Sequence, residues 1–196
     1  GSTDVARGIQ RSLARRLGPE GRPVPLIAET GGQNAMIVDS SALAEQVVAD
    51  AVVSAFDSAG QRCSALRVLC LQEDIADRVL EMLEGAMAEL SVGNPERLAV
   101  DVGPVIDDDA RSMLVRYIDG MRARGHRVHQ VSVDAAADKT SNRGTFVPPT
   151  LISIDRIEQL EREVFGPVLH VLRYRREELD RLVDGINALG YGLTLG

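Results

Sequence analysis

The residues of this chain that could do chemistry gather in three short stretches. The first is Ala59-Gly60-Gln61-Arg62-Cys63-Ser64, which holds one of only two cysteines in 196 residues. Gly60 supplies backbone angles closed to most residues and lets a ligand approach the main chain. Arg62 sets a cation beside the Cys63 thiol, and a cation favours the thiolate, the reactive form. On local chemistry Cys63 is read as a catalytic nucleophile; a small buried cysteine is the alternative. The second stretch is Glu29-Thr30-Gly31-Gly32, a carboxylate at the end of an apolar run. An apolar site raises a carboxylate's pKa and makes it a useful base near neutral pH. A solvated carboxylate at a strand end is the other reading. The third is Glu163-Val164-Phe165-Gly166-Pro167, where a carboxylate and an aromatic two apart on extended backbone point to one side. Such a pair can bond a sugar hydroxyl and pack a ring.

Other candidates offer less. His170 falls in Val168-Leu169-His170-Val171-Leu172 and reads as a satisfied structural histidine, while His126 and His129 flank Arg127 in a basic, exposed segment. No His-x-x-His or Cys-x-x-Cys spacing exists, so no metal is expected. A cysteine–histidine hydrolase stays open, because its partners can be distant in the chain. There is no GxGxxG and no Walker loop. Asp107-Asp108-Asp109 and Glu177-Glu178 stand where helices begin and complement the helix dipole.

The elements that position these stretches follow from periodicity. A helix is expected over 4–17, capped by Thr3, with Val5, Ile9, Leu13 and Leu17 on one face. Val24 to Ala28 reads as a buried strand opening onto Glu29, and Ala35 to Val38 as the next. Asp39-Ser40-Ser41 caps a helix from Leu43 to Asp57 whose apolar face is Leu43, Val47, Ala51, Val52, Ala55 and Phe56. Strand 66–72 leads into a helix at 74–90, and a helix at 108–124 stops at Gly125. His126 to Val131 is a strand, 134–144 a polar loop, and Phe146 to Ile152 an extended segment kept from a central ladder by its prolines. A helical piece at 156–161, a strand at 168–174 and a helix at 177–188 complete the pattern, with 191–194 extended. Strands alternating with helices of this length imply an α/β fold, a mostly parallel sheet with helices on both faces. An end inside the apolar Leu193-Thr194-Leu195 leads us to expect a fragment.

Composition narrows the function classes. Apolar content of 44% and charged content of 26% are those of a globular protein, with no apolar run long enough for a transmembrane helix and no signal-peptide pattern. A net charge of −7 argues against nucleic acid as a partner. Cys63 and Cys70, seven apart, make no disulfide framework, and a reducing, cytoplasmic setting fits.

Taken in order, Glu29-Thr30-Gly31-Gly32-Gln33-Asn34-Ala35, Gly60-Gln61-Arg62-Cys63 and Glu163-Val164-Phe165-Gly166-Pro167 resemble the signature motifs of the aldehyde dehydrogenase superfamily. Glu29 precedes Cys63 by 34 positions, similar to that family's spacing. Residues 29–42 and 58–67 look most like the pyrroline-5-carboxylate (glutamate semialdehyde) dehydrogenase branch, and within it the aldehyde dehydrogenase part of the bifunctional proline utilisation A flavoenzymes. The resemblance runs the whole length of the chain. It implies an incomplete aldehyde dehydrogenase catalytic domain, with 1–28 the end of an NAD-binding domain and 29–196 the catalytic domain.

The same resemblance implies the roles. Cys63 attacks the aldehyde carbon, and its backbone N–H helps hold the oxyanion. Glu29 activates water to hydrolyse the thioester. Glu163 bonds a ribose of NAD and Phe165 packs near it. Ser2 contacts the pyrophosphate, Val5 the adenine, and Ser64 helps hold a substrate carboxylate. FAD would belong only to a proline dehydrogenase domain outside this chain. Complete family members are homo-oligomers, through segments this chain lacks. They also carry an upstream asparagine that completes the oxyanion hole, an upstream lysine for the cofactor, and a later loop that grips the substrate. None of these is in the 196 residues, so the chain alone is expected to be inactive. Three alternatives stand beside this reading: another NAD(P)-dependent aldehyde dehydrogenase, a cysteine-dependent hydrolase or acyltransferase, and a non-catalytic α/β binding domain with Cys63 buried.

Overall fold

The computed structural model describes residues 1–132 and 144–196. Among them β1 (Asn34–Val38), β2 (Leu66–Gln72), β5 (Val168–Tyr174), β4 (Thr150–Ile154) and β3 (Val128–Gln130) form one five-stranded sheet in that order. The first four run parallel, and β3 closes the far edge antiparallel to β4. Every residue of β2 is buried, as expected of a strand inside a parallel sheet covered on both faces. Helix α2 (Ala44–Phe56) crosses from β1 to β2, and α3 (Glu73–Ala88) follows β2 and packs on α2. Helices α4 (Asp108–Ala123) and α5 (Leu179–Ala188) complete the domain. Successive residues of a strand point to opposite faces. Arg173 of β5 pairs with Asp77 of α3, whereas His170 bonds Tyr117 of α4. Three residues separate them, so α3 and α4 flank opposite faces, as the sequence pattern requires.

Several local expectations fail for identifiable reasons. Val24 to Ala28 forms no strand and is exposed, Ile27 at 90%. Pro23 and Pro25 each lack an N–H, which denies the run a ladder. Phe146 to Ile152 is not excluded from the sheet: β4 is internal, bonded to both β3 and β5. Its prolines fall just before the ladder, and the Pro149 carbonyl accepts from Val131 N. Helix α1 spans Thr3–Leu13, shorter than the pattern suggested, and Ser2, not Thr3, caps it by accepting from Val5 N at 3.3 Å. None of its residues is buried, so its apolar face has no cover among the described residues. Asp39 closes a local turn with Ser41 instead of capping α2, whose N-cap is Leu43, 63% exposed and so not part of the apolar face. His126 is half-buried and bonds the Ser153 carbonyl at 3.0 Å. The polar stretch expected as a loop at 134–144 lies, apart from Gly144, outside the described residues. At the other end, Gly196 exchanges backbone bonds with Ala35 and Ile37 along the free edge of β1.

His170 ties the layers together. Its Nδ1 lies 3.0 Å from the Arg67 carbonyl, which can only accept, so Nδ1 carries the proton. Nε2 therefore accepts from the Tyr117 hydroxyl at 2.8 Å. Complete burial pushes the imidazole pKa down to about 4, and partial burial pushes the Tyr117 phenol up to about 12. A base whose folded pKa lies below its unfolded value stabilises fully above the unfolded pKa and loses that contribution as pH falls through the folded one. The window here is pH 6.5 to about 4, and the contribution is on the order of 3 kcal/mol. In urea titrations across this window, His170→Gln should be less stable at pH 7.5 yet lose less stability on acidification than the wild type. Parallel curves would show that His170 protonation does not govern the acid side.

Candidate functional site

The three chemistry-bearing stretches each end where a strand begins. Glu29–Gln33 runs into β1, Ser58–Ala65 into β2, and Glu163–Pro167 into β5. Because β1, β2 and β5 are neighbours and parallel, all three loops emerge at one edge of the sheet. Asn34, the first residue of β1, donates through Nδ2 to the Cys63 carbonyl at 2.7 Å and the Ala65 carbonyl at 2.8 Å. A side chain at Gly32 would run into the Cys63 carbonyl, and one at Gly31 would meet Glu163 Oε2. The two glycines are thus what allow the Glu29 loop to lie against the other two.

The approach to Cys63 is strained. Ser58, Ala59 and Gly60 are left-handed in succession, with φ of 57°, 53° and 64°. Non-glycine residues pay roughly 1–2 kcal/mol each for this conformation. It persists because its surroundings fix it. Gly60 packs against the Gly166 carbonyl, where no Cβ fits, and Gln61 receives the Ile106 N–H at 2.8 Å while bonding the Pro104 carbonyl. Strain of this kind held by neighbouring contacts is a feature of functional loops. Cys63 stands exposed on the loop. Cys70, inside β2, is buried and its thiol is pushed up to about 12, which makes it inert. Ser64 is exposed beside the thiol.

The arginine that bonds the thiol loop is not the expected one. Arg62 turns away and donates to the Val53 and Ser54 carbonyls in the last turn of α2. Arg67 takes its place, fully buried. It bonds Glu163 Oε1 at 3.2 Å and the Arg62 and Gly166 carbonyls at 3.1 Å each. Its Cζ lies 5.3 Å from the centroid of the Phe165 ring. Burial lowers the Arg67 pKa; the Glu163 carboxylate and, when ionised, Cys63 act against that. Glu163 and Phe165 therefore do share a side, and what they share it with is this guanidinium. Phe165 keeps 38% of its surface exposed.

Glu29 is exposed, not enclosed by apolar walls, because the run before it never joins the sheet. Its carbonyl accepts from the Gly1 amino group at 2.9 Å, which brings the start of α1, with Ser2 and the 59%-exposed Val5, beside the Glu29 loop. Sequence reasoning missed Asn34 and Arg67. The available signal was a charged residue inside the apolar run Leu66-Arg67-Val68-Leu69, an arrangement that requires buried partners. Among the described residues, the buried side-chain polar atoms without a partner belong to Gln33, Asn34, Arg62 and Arg67. All lie at this edge, where a core would have satisfied them. Two surface cavities of about 270 and 300 Å³ open instead at the far ends of β4 and β5, around Asp155 and Arg173. A seven-residue strand, roughly 20 Å, separates that end from Phe165, so they play no part in the thiol site.

Similarities to known proteins agree with this arrangement. The model of the aldehyde dehydrogenase family matches residues 1–196. The chain is 64% identical over its whole length to "Bifunctional protein PutA" of Klebsiella aerogenes and spans 15% of that protein. It is 32% identical over 171 residues, 86% of its length, to "1-pyrroline-5-carboxylate dehydrogenase" of Anoxybacillus flavithermus, covering 32% of it. A crystal structure of a bifunctional proline utilization A (PutA) protein superposes with a TM-score of 0.90 at 52% identity, over the whole of this chain and 19% of the other.

Two substitutions test the geometry. Asn34→Ala should lower unfolding stability by about 2–3 kcal/mol, two buried hydrogen bonds' worth, with an unchanged denaturant slope. Gly60→Ala should cost more, because its Cβ meets backbone and its φ is positive. A Gly60→Ala protein as stable as the wild type would refute the close Gly60–Gly166 contact.

Proposed function

The chain belongs to the aldehyde dehydrogenase family, and we propose that it carries the thiol half of an active site oxidising glutamate semialdehyde, the open form of pyrroline-5-carboxylate, to glutamate. The single observation that carries this reading is the meeting of the Glu29, Cys63 and Glu163 loops at one sheet edge, together with relatives named for proline catabolism. Residues 1–28 would belong to the coenzyme-binding domain and 29–196 to the catalytic domain, of a protein working in the cytoplasm.

In this reading the Cys63 thiolate adds to the aldehyde carbon, forming a carbon–sulfur bond and an alkoxide. The Cys63 backbone N–H is one donor to that oxygen. NAD, when bound, supplies the oxidation by accepting a hydride from the adduct. Glu163 and Phe165 would hold its nicotinamide end through a ribose hydroxyl and ring packing, and Ser2 and Val5 its pyrophosphate and adenine. Glu29, solvent-exposed beside the thiol loop, takes a proton from the water that attacks the thioester; glutamate leaves and Cys63 is regenerated. Ser64 would help orient the substrate carboxylate. A cysteine–histidine hydrolase is disfavoured by His170, both of whose nitrogens are occupied within the core.

The test uses the intact polypeptide with glutamate semialdehyde and NAD. Cys63→Ser should abolish NADH formation. Glu29→Gln should give one rapid equivalent of NADH and then turn over about 10²–10⁴ more slowly. NAD-independent esterase turnover lost in His170→Ala would favour the hydrolase. The 196-residue chain alone should show no turnover above its Cys63→Ser control, since losing an oxyanion donor by itself costs roughly 10²–10³.

A further inference from the structure

Arg67 has no task in the mechanism above, yet it is the most constrained polar side chain near Cys63. It lies four residues past the thiol, as the second residue of an otherwise apolar β2, and is 0% exposed. Its bonds reach both flanking loops: the carbonyl of Arg62, immediately before Cys63, and Glu163 Oε1 with the carbonyl of Gly166 on either side of Phe165. The ring of Phe165 lies over the guanidinium at 5.3 Å to the centroid. A planar fork with five N–H donors can hold two loops at once in a way a point charge cannot. Nε remains unpartnered and buried, so the group sits where the loops require it and not where its own hydrogen bonding is best. Glu163 is the anion nearest to balancing its charge, and the Cys63 sulfur, once ionised, is a second.

We propose that Arg67 is a positioning residue that ties the thiol loop to the Glu163–Phe165 loop and divides its charge between Glu163 and the Cys63 sulfur. Occupancy of one loop then affects reactivity at the other. A ligand hydroxyl bonded to Glu163 draws on the carboxylate's negative charge and leaves more of the guanidinium field to the thiolate. This rests on reading Cys63 as the nucleophile and Glu163 as a ligand-binding carboxylate. It does not rest on the identity of the aldehyde.

The experiment measures iodoacetamide alkylation of Cys63 in the full chain at pH 7, with buried Cys70 as internal control and thermal melting recorded in parallel. Arg67→Met should slow alkylation about two- to fivefold, the influence of one charge on an exposed partner. Arg67→Lys, which keeps the charge, should recover most of that rate although it loses the fork. Glu163→Gln should quicken alkylation, because the guanidinium loses its stronger partner. A purely structural Arg67 predicts a different pattern: lower melting temperature and equal or faster alkylation in every variant, as the loop loosens. That pattern would overturn the proposal. If Arg67→Met fails to fold, Arg67→Lys and Glu163→Gln decide together: charge sharing requires a rate at or slightly below wild type in the first and a faster one in the second, and a rate raised in both, or unchanged or slower in Glu163→Gln, overturns it. The opposed shifts persisting in a protein that does not oxidise glutamate semialdehyde would leave the positioning role standing and remove only the proposed substrate.

Discussion

Parallel pairing of β1, β2 and β5 puts the start of each strand at the same edge of the sheet. No other feature of the molecule does as much. Glu29, Cys63 and Glu163 are 34 and 100 positions apart in the chain, but each lies within five residues of a strand's first residue. Once the register is set, their loops must meet. Long crossovers do the remaining work: α2 fills the span from β1 to β2, while α3, α4 and two strands fill that from β2 to β5. The hydrophobic residues of β2 and β5, buried on both faces, seat these strands at the centre of the sheet.

What meets at that edge is polar and poorly satisfied. A buried guanidinium, two buried amides with unpartnered atoms and a left-handed run of three residues concentrate there. In the rest of the sheet His170, deeply buried between layers, has both nitrogens paired and is held neutral. The contrast separates two uses of buried polarity. His170 and Tyr117 close a core between layers. Asn34, Gln61 and Arg67 hold backbone in conformations the chain would not otherwise choose, against a cost of roughly 1–3 kcal/mol per strained residue.

The two cysteines show the same division. Both are small and lightly polar, and seven residues separate them. Cys70 lies in β2 and is sealed by neighbours, whereas Cys63 precedes the strand on the loop that Asn34 and Arg67 pin from either side through the backbone. Reactivity here depends on position relative to the sheet edge more than on adjacent residues in sequence. Arg62, the neighbour that local reasoning credits, is drawn off by the Val53 and Ser54 carbonyls at the end of α2.

The order of α2, β2, α3, α4 and β5 was readable within a residue or two, because each has an apolar period matching its geometry and ends at a glycine or a polar turn. So were the three motifs, whose residue types and spacing need no coordinates. Where the sequence misled, it did so through long-range partners. Val24 to Ala28 has the composition of a strand but no strand to pair with among the described residues. Residues 146–152 have prolines that fall one step before the ladder they were expected to prevent. Helix α1 has an apolar face and nothing among the described residues to bury it. The sequence by itself determined which residues carry chemistry, since that is a property of side-chain type. Only the tertiary structure decided that Arg67 bonds both the backbone beside the thiol and Glu163, while Arg62 is engaged by α2. Electrostatic reach follows distance in space, and the sheet sets those distances.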